Sequence, residues 1–363
     1  MTTTSSAHAP GRLGDPAMDL RTDPRSDPRM INALAQFGLD VALPPPPVDR
    51  NSPREEQLAL VDEVETNFEA VFAALLTDVR PVDGISRSTE TIAGPDGNSI
   101  ALYISRPADE AGPLPGILHI HGGGMVFLKA ADANYVMLRD KIAGTGFVVI
   151  GVEFRNGGGS LGPHPYPAGL NDCTAALRWA HDNRDALGIS TLTVAGESGG
   201  GNLTLATALK AKRDGHIQMI DSVCAFVPYI SGMYALGESE RAATLPSLVE
   251  NDGYLLSCAL MEIMVSVYDP GGEHNTDPLC WPFHASVDEL AGMPPHLISV
   301  DELDPLRDEG VAYYRKLKRA GVDAELRTVP GLCHGGDMMF PAHLADVYEA
   351  TIASIHDFAA GRR

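Results

Sequence analysis

The sequence predicts an α/β fold: a mostly parallel sheet with an N-terminal hairpin, helices on both faces and a helical cap. Three observations carry that expectation. From about residue 115 onward, short continuous apolar runs alternate with helical patterns, the signature of βαβ units and a parallel sheet. Between Ser88 and Ser105, two alternating segments flank Pro95-Asp96-Gly97-Asn98, residues that favour a tight turn and hence an antiparallel hairpin. Between Ser231 and Cys280 the alternation is interrupted by helical patterns such as Tyr254 to Val267, which read as an insertion.

Taken in order, residues 1–29 carry Pro10, Pro16, Pro24 and Pro28 among Arg, Asp, Ser and Thr, with no apolar run, and are expected to form a disordered lead. Residues 30–80 are helical: Leu58, Leu60, Val61, Val64, Phe68, Val71, Phe72 and Leu75 recur at three- and four-residue steps, and Pro44 to Pro47 split the segment into two pieces. The first part of the α/β core spans residues 81–230, with strands expected at 115–120, 147–154, 192–195 and 222–228. Helices are expected there at 168–186 and 201–212. The insertion at 231–280 is expected to join the N-terminal helices as a cap. The second part of the core, 281–363, adds strands at 296–300 and 324–329 and helices at 308–320 and 345–359.

Composition excludes several function classes. With 27 basic and 48 acidic residues among 363, the net charge of −21 repels phosphate backbones and anionic membranes, so nucleic acid is not an expected partner. The longest aliphatic stretches, such as Phe147 to Val152, are strand-sized and too short to span a bilayer. Cys173, Cys224, Cys258, Cys280 and Cys333 are odd in number, widely spaced and form no CxxC pair, which fits a reducing cytoplasm. The sequence is compatible with a homo-oligomer and does not specify one.

Four segments carry chemistry. The strand at 191–195 runs into Gly196-Glu197-Ser198-Gly199-Gly200 and a helical pattern follows at once, which is GxSxG between a strand and a helix. A sharp turn there exposes the Ser198 hydroxyl, making it the candidate nucleophile. His121-Gly122-Gly123-Gly124 ends an earlier strand. Its bare backbone lets the N–H groups of Gly123 and Gly124, together with that of Gly199, approach a substrate oxygen as an oxyanion hole. His121 reads as a support for that loop. A nucleophilic serine needs a base, and the base an orienting carboxylate. His334, in Gly331-Leu332-Cys333-His334-Gly335-Gly336, follows a strand, as does Asp304 in Asp304-Pro305-Leu306-Arg307-Asp308-Glu309-Gly310. Asp301, Asp308 and Glu309 are rival acids, although the last two fall on the following helix. The chain order Ser198, Asp304, His334 is the order that such a fold uses.

These segments resemble the hormone-sensitive lipase family of α/β-hydrolases over roughly residues 85–363. The elbow GESGG departs from the family's usual GDSAG or GTSAG, and Phe154-Arg155-Asn156 with His164-Pro165-Tyr166-Pro167 departs from its usual YRLAPE. The resemblance implies the α/β-hydrolase fold, the catalytic and oxyanion roles named above, and a cap made of the N-terminal helices and the 231–280 insertion. It further implies a serine carboxylesterase that forms an acyl-enzyme on Ser198 and acts on small-molecule esters with short acyl chains, without metal or organic cofactor. Met125, Phe127 and Tyr229 are candidate pocket residues. Amide, carbamate or lactone hydrolysis by the same triad is the alternative reading, and a non-enzymatic ligand receptor on this fold is a further one, against which His334 argues.

Other matches are refused. Gly157 to Gly162 satisfies GxGxxG, but Pro163, Pro165 and Pro167 stand where a dinucleotide-binding helix would open. Asn202-Leu203-Thr204 is a glycosylation sequon inside a helix. Glu197 is expected either to bond the base-bearing loop or to support the elbow.

Overall fold

The computed structural model describes residues 9–110 and 112–361. Eight strands form a single sheet: β1 Ile85–Ala93, β2 Ser99–Pro107, β3 Leu114–Ile120, β4 Val148–Glu153, β5 Ile189–Glu197, β6 Ser222–Phe226, β7 His296–Asp301 and β8 Ala324–Val329. Their spatial order is β1-β2-β4-β3-β5-β6-β7-β8. The hairpin of β1 and β2 closes through Gly97, at φ 81°, and a 2.7 Å bond from the Gly94 N–H to the Asn98 carbonyl. β2 is also antiparallel to β4, and every later pairing is parallel. The inner parallel strands are covered on both faces, which is why they read as unbroken apolar runs in the sequence.

Helices of eight residues or more are α1 Pro28–Ala35, α2 Arg54–Leu75, α3 Ala133–Ala143, α4 Ala168–Asp182, α5 Gly199–Arg213, α6 Cys258–Tyr268, α7 Arg307–Arg319 and α8 Ala345–Ala359. One face of the sheet packs against α4, α5 and α7 through residues such as Leu170, Leu177, Leu205, Leu209, Tyr313 and Leu317. The other packs against α3 and α8 through Leu138, Ile142, Ile352 and Ile355. α2 and α6 pack on each other at the carboxyl end of the sheet, where Gln57 Oε1 accepts from the Ser266 hydroxyl.

Three expectations need correction. The lead at 1–29 is not disordered where it is described: residues 1–8 lie outside the described residues, but Leu20 is fully buried beside Met30, Leu303 and Leu332. Arg25 bridges Asp23 and Glu250, 225 positions apart in sequence from the latter. A segment with one apolar anchor and charges whose partners are distant gives no local signal of order. The helix α3 has no counterpart in the expected list. Arg139 and Asp140 are buried in it, Arg139 donating to the Ala130 carbonyl and Asp140 accepting from Arg87 and Ser105, so its polar residues do not mark a solvent face. The helix expected at 254–267 begins at Cys258, where the Ser257 hydroxyl caps the Leu260 N–H at 3.2 Å. Residues 254–256 form a turn with Leu255 at φ 65°.

Candidate active site

Ser198 stands between β5 and α5 with φ 56° and ψ −119°, a conformation that non-glycine residues adopt only at a cost of roughly 1–3 kcal/mol. Bonds on both sides hold it there: its N–H donates to the Phe226 carbonyl at 2.9 Å, and its carbonyl accepts from Asn202 N–H at 3.0 Å and Tyr229 N–H at 3.1 Å. The flanking glycines are required sterically. A Cβ on Gly196 would lie 2.4 Å from the Ile120 oxygen, and one on Gly200 would lie 2.0 Å from the same atom. The Asn202 side chain is consumed in the same corner, donating to the Tyr229 and Cys280 carbonyls with no exposure, so the sequon is closed to modification in the folded chain.

The tertiary fold brings the three expected residues into one chain of hydrogen bonds. Ser198 Oγ is 2.9 Å from His334 Nε2, and His334 Nδ1 is 2.9 Å from Asp304 Oδ2. Asp304 is fully buried; its Oδ1 accepts from the Leu306 N–H at 2.8 Å and its own carbonyl accepts from Asn251 Nδ2. The rival acids are engaged elsewhere. Asp301 accepts from the Gly336 N–H, Asp308 accepts from the Ser247 N–H, and Glu309 accepts from the Ile230 N–H and the Tyr234 hydroxyl. Burial pushes the Glu309 carboxyl up to about 8.

Gly123 and Gly124 follow β3 at φ 97° and 60°, in a turn closed by Val126 N–H and Phe127 N–H on the Gly123 carbonyl. This turn lies against the elbow, since a Cβ on Gly199 would fall 2.6 Å from the Gly124 nitrogen. Glu197 spends both carboxylate oxygens on the elbow side of the site. Its Oε1 accepts from the Gly122 N–H at 2.6 Å and its Oε2 pairs with His119 Nε2 at 3.0 Å, so it ties the glycine loop to β3 and the elbow. His121 is fully buried, stacked on Phe154 at 4.2 Å, and bonds through Nδ1 to the Gly122 carbonyl; burial drives its imidazole down to about 3, which keeps it neutral. The GxGxxG stretch serves as a buttress: Gly157 and Gly158 N–H donate to the Met125 and Val126 carbonyls, and Glu65 of α2 accepts from the Ser160 N–H.

Above Ser198 opens a mostly apolar cleft of ≈ 920 Å³, counting the space at its mouth. Phe127 and Tyr229 lie along it, the Tyr229 hydroxyl being donated to the Met261 carbonyl at 2.6 Å. Met125 does not line it. Its backbone has φ 60° and its side chain is buried in the main core, because the tight glycine turn directs it away from the cleft. Phe68 and Phe72 of α2, Leu260 and Met264 of α6, and Met338 and Met339 beyond His334 also line it, a role the sequence did not assign to them. Their apolar spacing marked helices, but no local pattern says that such a face meets a cleft instead of a core. Among the described residues, no group of three or more His, Cys, Asp or Glu side chains is placed to hold a metal ion.

Comparison with known proteins agrees with this architecture. The family model described as alpha/beta hydrolase fold matches residues 117–338. The carboxylesterase NlhH of Mycobacterium tuberculosis is 33% identical over 258 residues, covering 69% of this chain and 75% of the relative. Ethyl acetate hydrolase of Pseudomonas putida is 30% identical over 282 residues, covering 75% of this chain and 82% of the relative. Among solved structures, brefeldin A esterase, described as a bacterial homologue of human hormone sensitive lipase, superposes with a TM-score of 0.95 at 47% identity over 98% of both chains. Esterase Est22 gives a TM-score of 0.83 at 36% identity over 94% of this chain and 99% of the other. A strand-to-helix elbow, a glycine turn laid against it, and kinship over most of the chain converge: this chain belongs to the alpha/beta hydrolase fold family.

Proposed function

We propose that this protein is a serine carboxylesterase that hydrolyses short-chain carboxylic esters through an acyl-enzyme on Ser198. The observation that carries the reading is the continuous chain of 2.9 Å bonds from Ser198 through His334 to buried Asp304, at the floor of an apolar cleft. His334 Nε2 takes the Ser198 proton as Oγ attacks the ester carbonyl carbon, and Asp304 holds the ring and stabilises the imidazolium. The N–H groups of Gly123, Gly124 and Gly199 receive the developing oxyanion. His334 then protonates the departing alcohol, and a water activated by the same imidazole releases the acid. The esterase names of the relatives support an ester substrate.

α1 and α2, with the insertion at 231–280, act in this reading as a cap that confines the cleft. Phe68, Phe72, Leu260 and Met264 supply its roof, which favours short acyl chains. Buried thiols at Cys173, Cys258, Cys280 and Cys333 support a reducing, cytoplasmic setting. Among the described residues, no helix is long and apolar enough to cross a membrane.

The test is Ser198→Ala beside Asp304→Asn, with p-nitrophenyl butyrate turnover and labelling by an organophosphate. Ser198→Ala is expected to lose roughly 10⁴-fold or more in kcat, and Asp304→Asn roughly 10⁴-fold, with melting temperatures near that of the parent. A single adduct is expected on the peptide containing Ser198. Retention of most activity by Ser198→Ala would remove the assignment.

A further inference from the structure

Outside the chain of bonds just described, a group of buried charge lies directly behind the base. Asp301 ends β7, three residues before Asp304, and is fully buried; its Oδ2 accepts from the N–H of Gly336, two residues past His334, at 3.0 Å. Asp337, 1% exposed, accepts through its Oδ2 from Arg327 Nη1 at 2.7 Å and from the Thr351 hydroxyl at 2.9 Å. Arg327, on β8, also donates to Ser299 Oγ and Thr351 Oγ1. The second oxygen of each carboxyl, Oδ1 of Asp301 and Oδ1 of Asp337, is buried with no hydrogen-bond partner among the described residues.

The charged and titratable groups that face Asp301 are Asp304 from the turn after β7, Asp337 from the short helix Gly336–Met339, Arg327 from β8, and Cys333 from the base-bearing loop, with His334 bonded to Asp304. Arg327 faces Asp301 but gives its carboxylate bond to Asp337. Burial first, then the charges of Asp337 and Asp304, hold the Asp301 carboxyl well above the usual carboxylate range. A buried carboxyl held neutral is a donor as well as an acceptor, and the unpartnered Oδ1 of Asp301 is the atom that would carry its proton.

We propose that Asp301 is a positioning residue for the base: as a neutral carboxylic acid it accepts from the Gly336 N–H, donates its own proton to the Asp337 carboxylate, and so fixes the turn that carries His334. It does not touch substrate. Arg327 and Thr351 anchor the far side of the same turn, so His334 is held from behind as well as by Asp304. Loss of the Asp301 proton as pH rises would set an anion beside the Asp337 carboxylate, release that turn and lower the rate. The inference rests on the hydrolytic reading of Ser198 and goes beyond it.

The experiment measures kcat and KM by acid release from methyl butyrate, from about pH 6 to about pH 10, for the full chain and two variants. Asp301→Asn keeps an acceptor oxygen and a donor but cannot ionise. It is expected to stay within about threefold of the parent kcat at neutral pH and to lack the alkaline decline that the parent shows. Asp301→Ala is expected to lose about tenfold or more in kcat with KM within about twofold. Should Asp301→Ala fold poorly by its melting curve, the Asn profile decides alone. A parent with no alkaline decline, an Asp301→Asn that keeps it, or a folded Asp301→Ala at full kcat overturns the inference. Organophosphate labelling of Ser198 in the parent separates that outcome from a failure of the hydrolytic reading, which would leave parent turnover and labelling both absent.

Discussion

Gly199→Ala isolates the geometry of the oxyanion site from the stability of the fold. Gly199 opens α5, where alanine is the better helix former by about 1 kcal/mol, so propensity alone predicts a slightly more stable protein. Packing predicts the opposite for catalysis. The new Cβ would stand 2.4 Å from the Met125 nitrogen, 2.6 Å from the Gly124 nitrogen and 2.7 Å from the Gly124 Cα, all backbone atoms of the glycine turn. To restore even a 3.0 Å contact, the turn must retreat by about 0.6 Å, which carries the Gly124 N–H away from the position of the oxyanion. A misplacement of about 1 Å can cost about 10²-fold and full loss of one donor 10²- to 10³-fold, so for this smaller shift kcat is expected to fall by roughly one to two orders of magnitude. KM should move only a few-fold, because the cleft walls are untouched. The matched control is Gly201→Ala, whose Cβ meets the Pro228 Cα at 3.1 Å and the Phe226 oxygen at 3.2 Å, contacts that shifts of a few tenths of an ångström relieve. The assay is kcat and KM on p-nitrophenyl butyrate beside a thermal melt for all three proteins. A Gly199→Ala enzyme within about threefold of the parent kcat would show that the close approach of elbow and glycine turn is not what sets the rate.

Two further outcomes follow from the same structure. Burial raises the Glu309 carboxyl to about 8 from 4.5, so the folded chain holds a proton there that the unfolded chain releases, and stability falls as pH rises across that window. Glu309→Gln should flatten the melting temperature against pH between those values, and an unchanged slope would refute the assignment. Met264, whose sulfur lies 2.9 Å from where a Cβ on Gly124 would stand, roofs the cleft beside the oxyanion loop. The parent is expected to prefer p-nitrophenyl acetate and butyrate to octanoate and laurate, and Met264→Ala should shift the octanoate-to-acetate ratio of kcat/KM upward by about tenfold. A parent with a laurate optimum would contradict the confined cleft.

Much of this molecule is written locally. The parallel strands are legible because both faces are buried, which makes runs such as Val148-Val149-Ile150 continuous. The elbow is legible because its backbone angles at Ser198 demand small neighbours on either side, and a demand on local geometry leaves a local motif. The triad residues could be named from their places after strands, since β5, β7 and β8 all deliver their ends to one edge of the sheet.

What the sequence could not decide are matters of partnership across long separations. Asp304, Asp301, Asp308 and Glu309 are four of the five acids that crowd nine positions. Only the packing of the β7 turn against the His334 loop turns Asp304 toward the imidazole, while Asp301 is turned toward Gly336, Asp308 toward Ser247 and Glu309 toward Tyr234. The N-terminal segment is ordered by Arg25 finding Glu250, and the cleft is roofed by Phe68 and Met264 from helices whose apolar faces look like any other core. Local sequence fixes the period and the turn, through the dihedral angles and side-chain volumes of neighbours. Which buried charge meets which partner is a property of three-dimensional contact, settled only where water is excluded and each polar group must find its own bond.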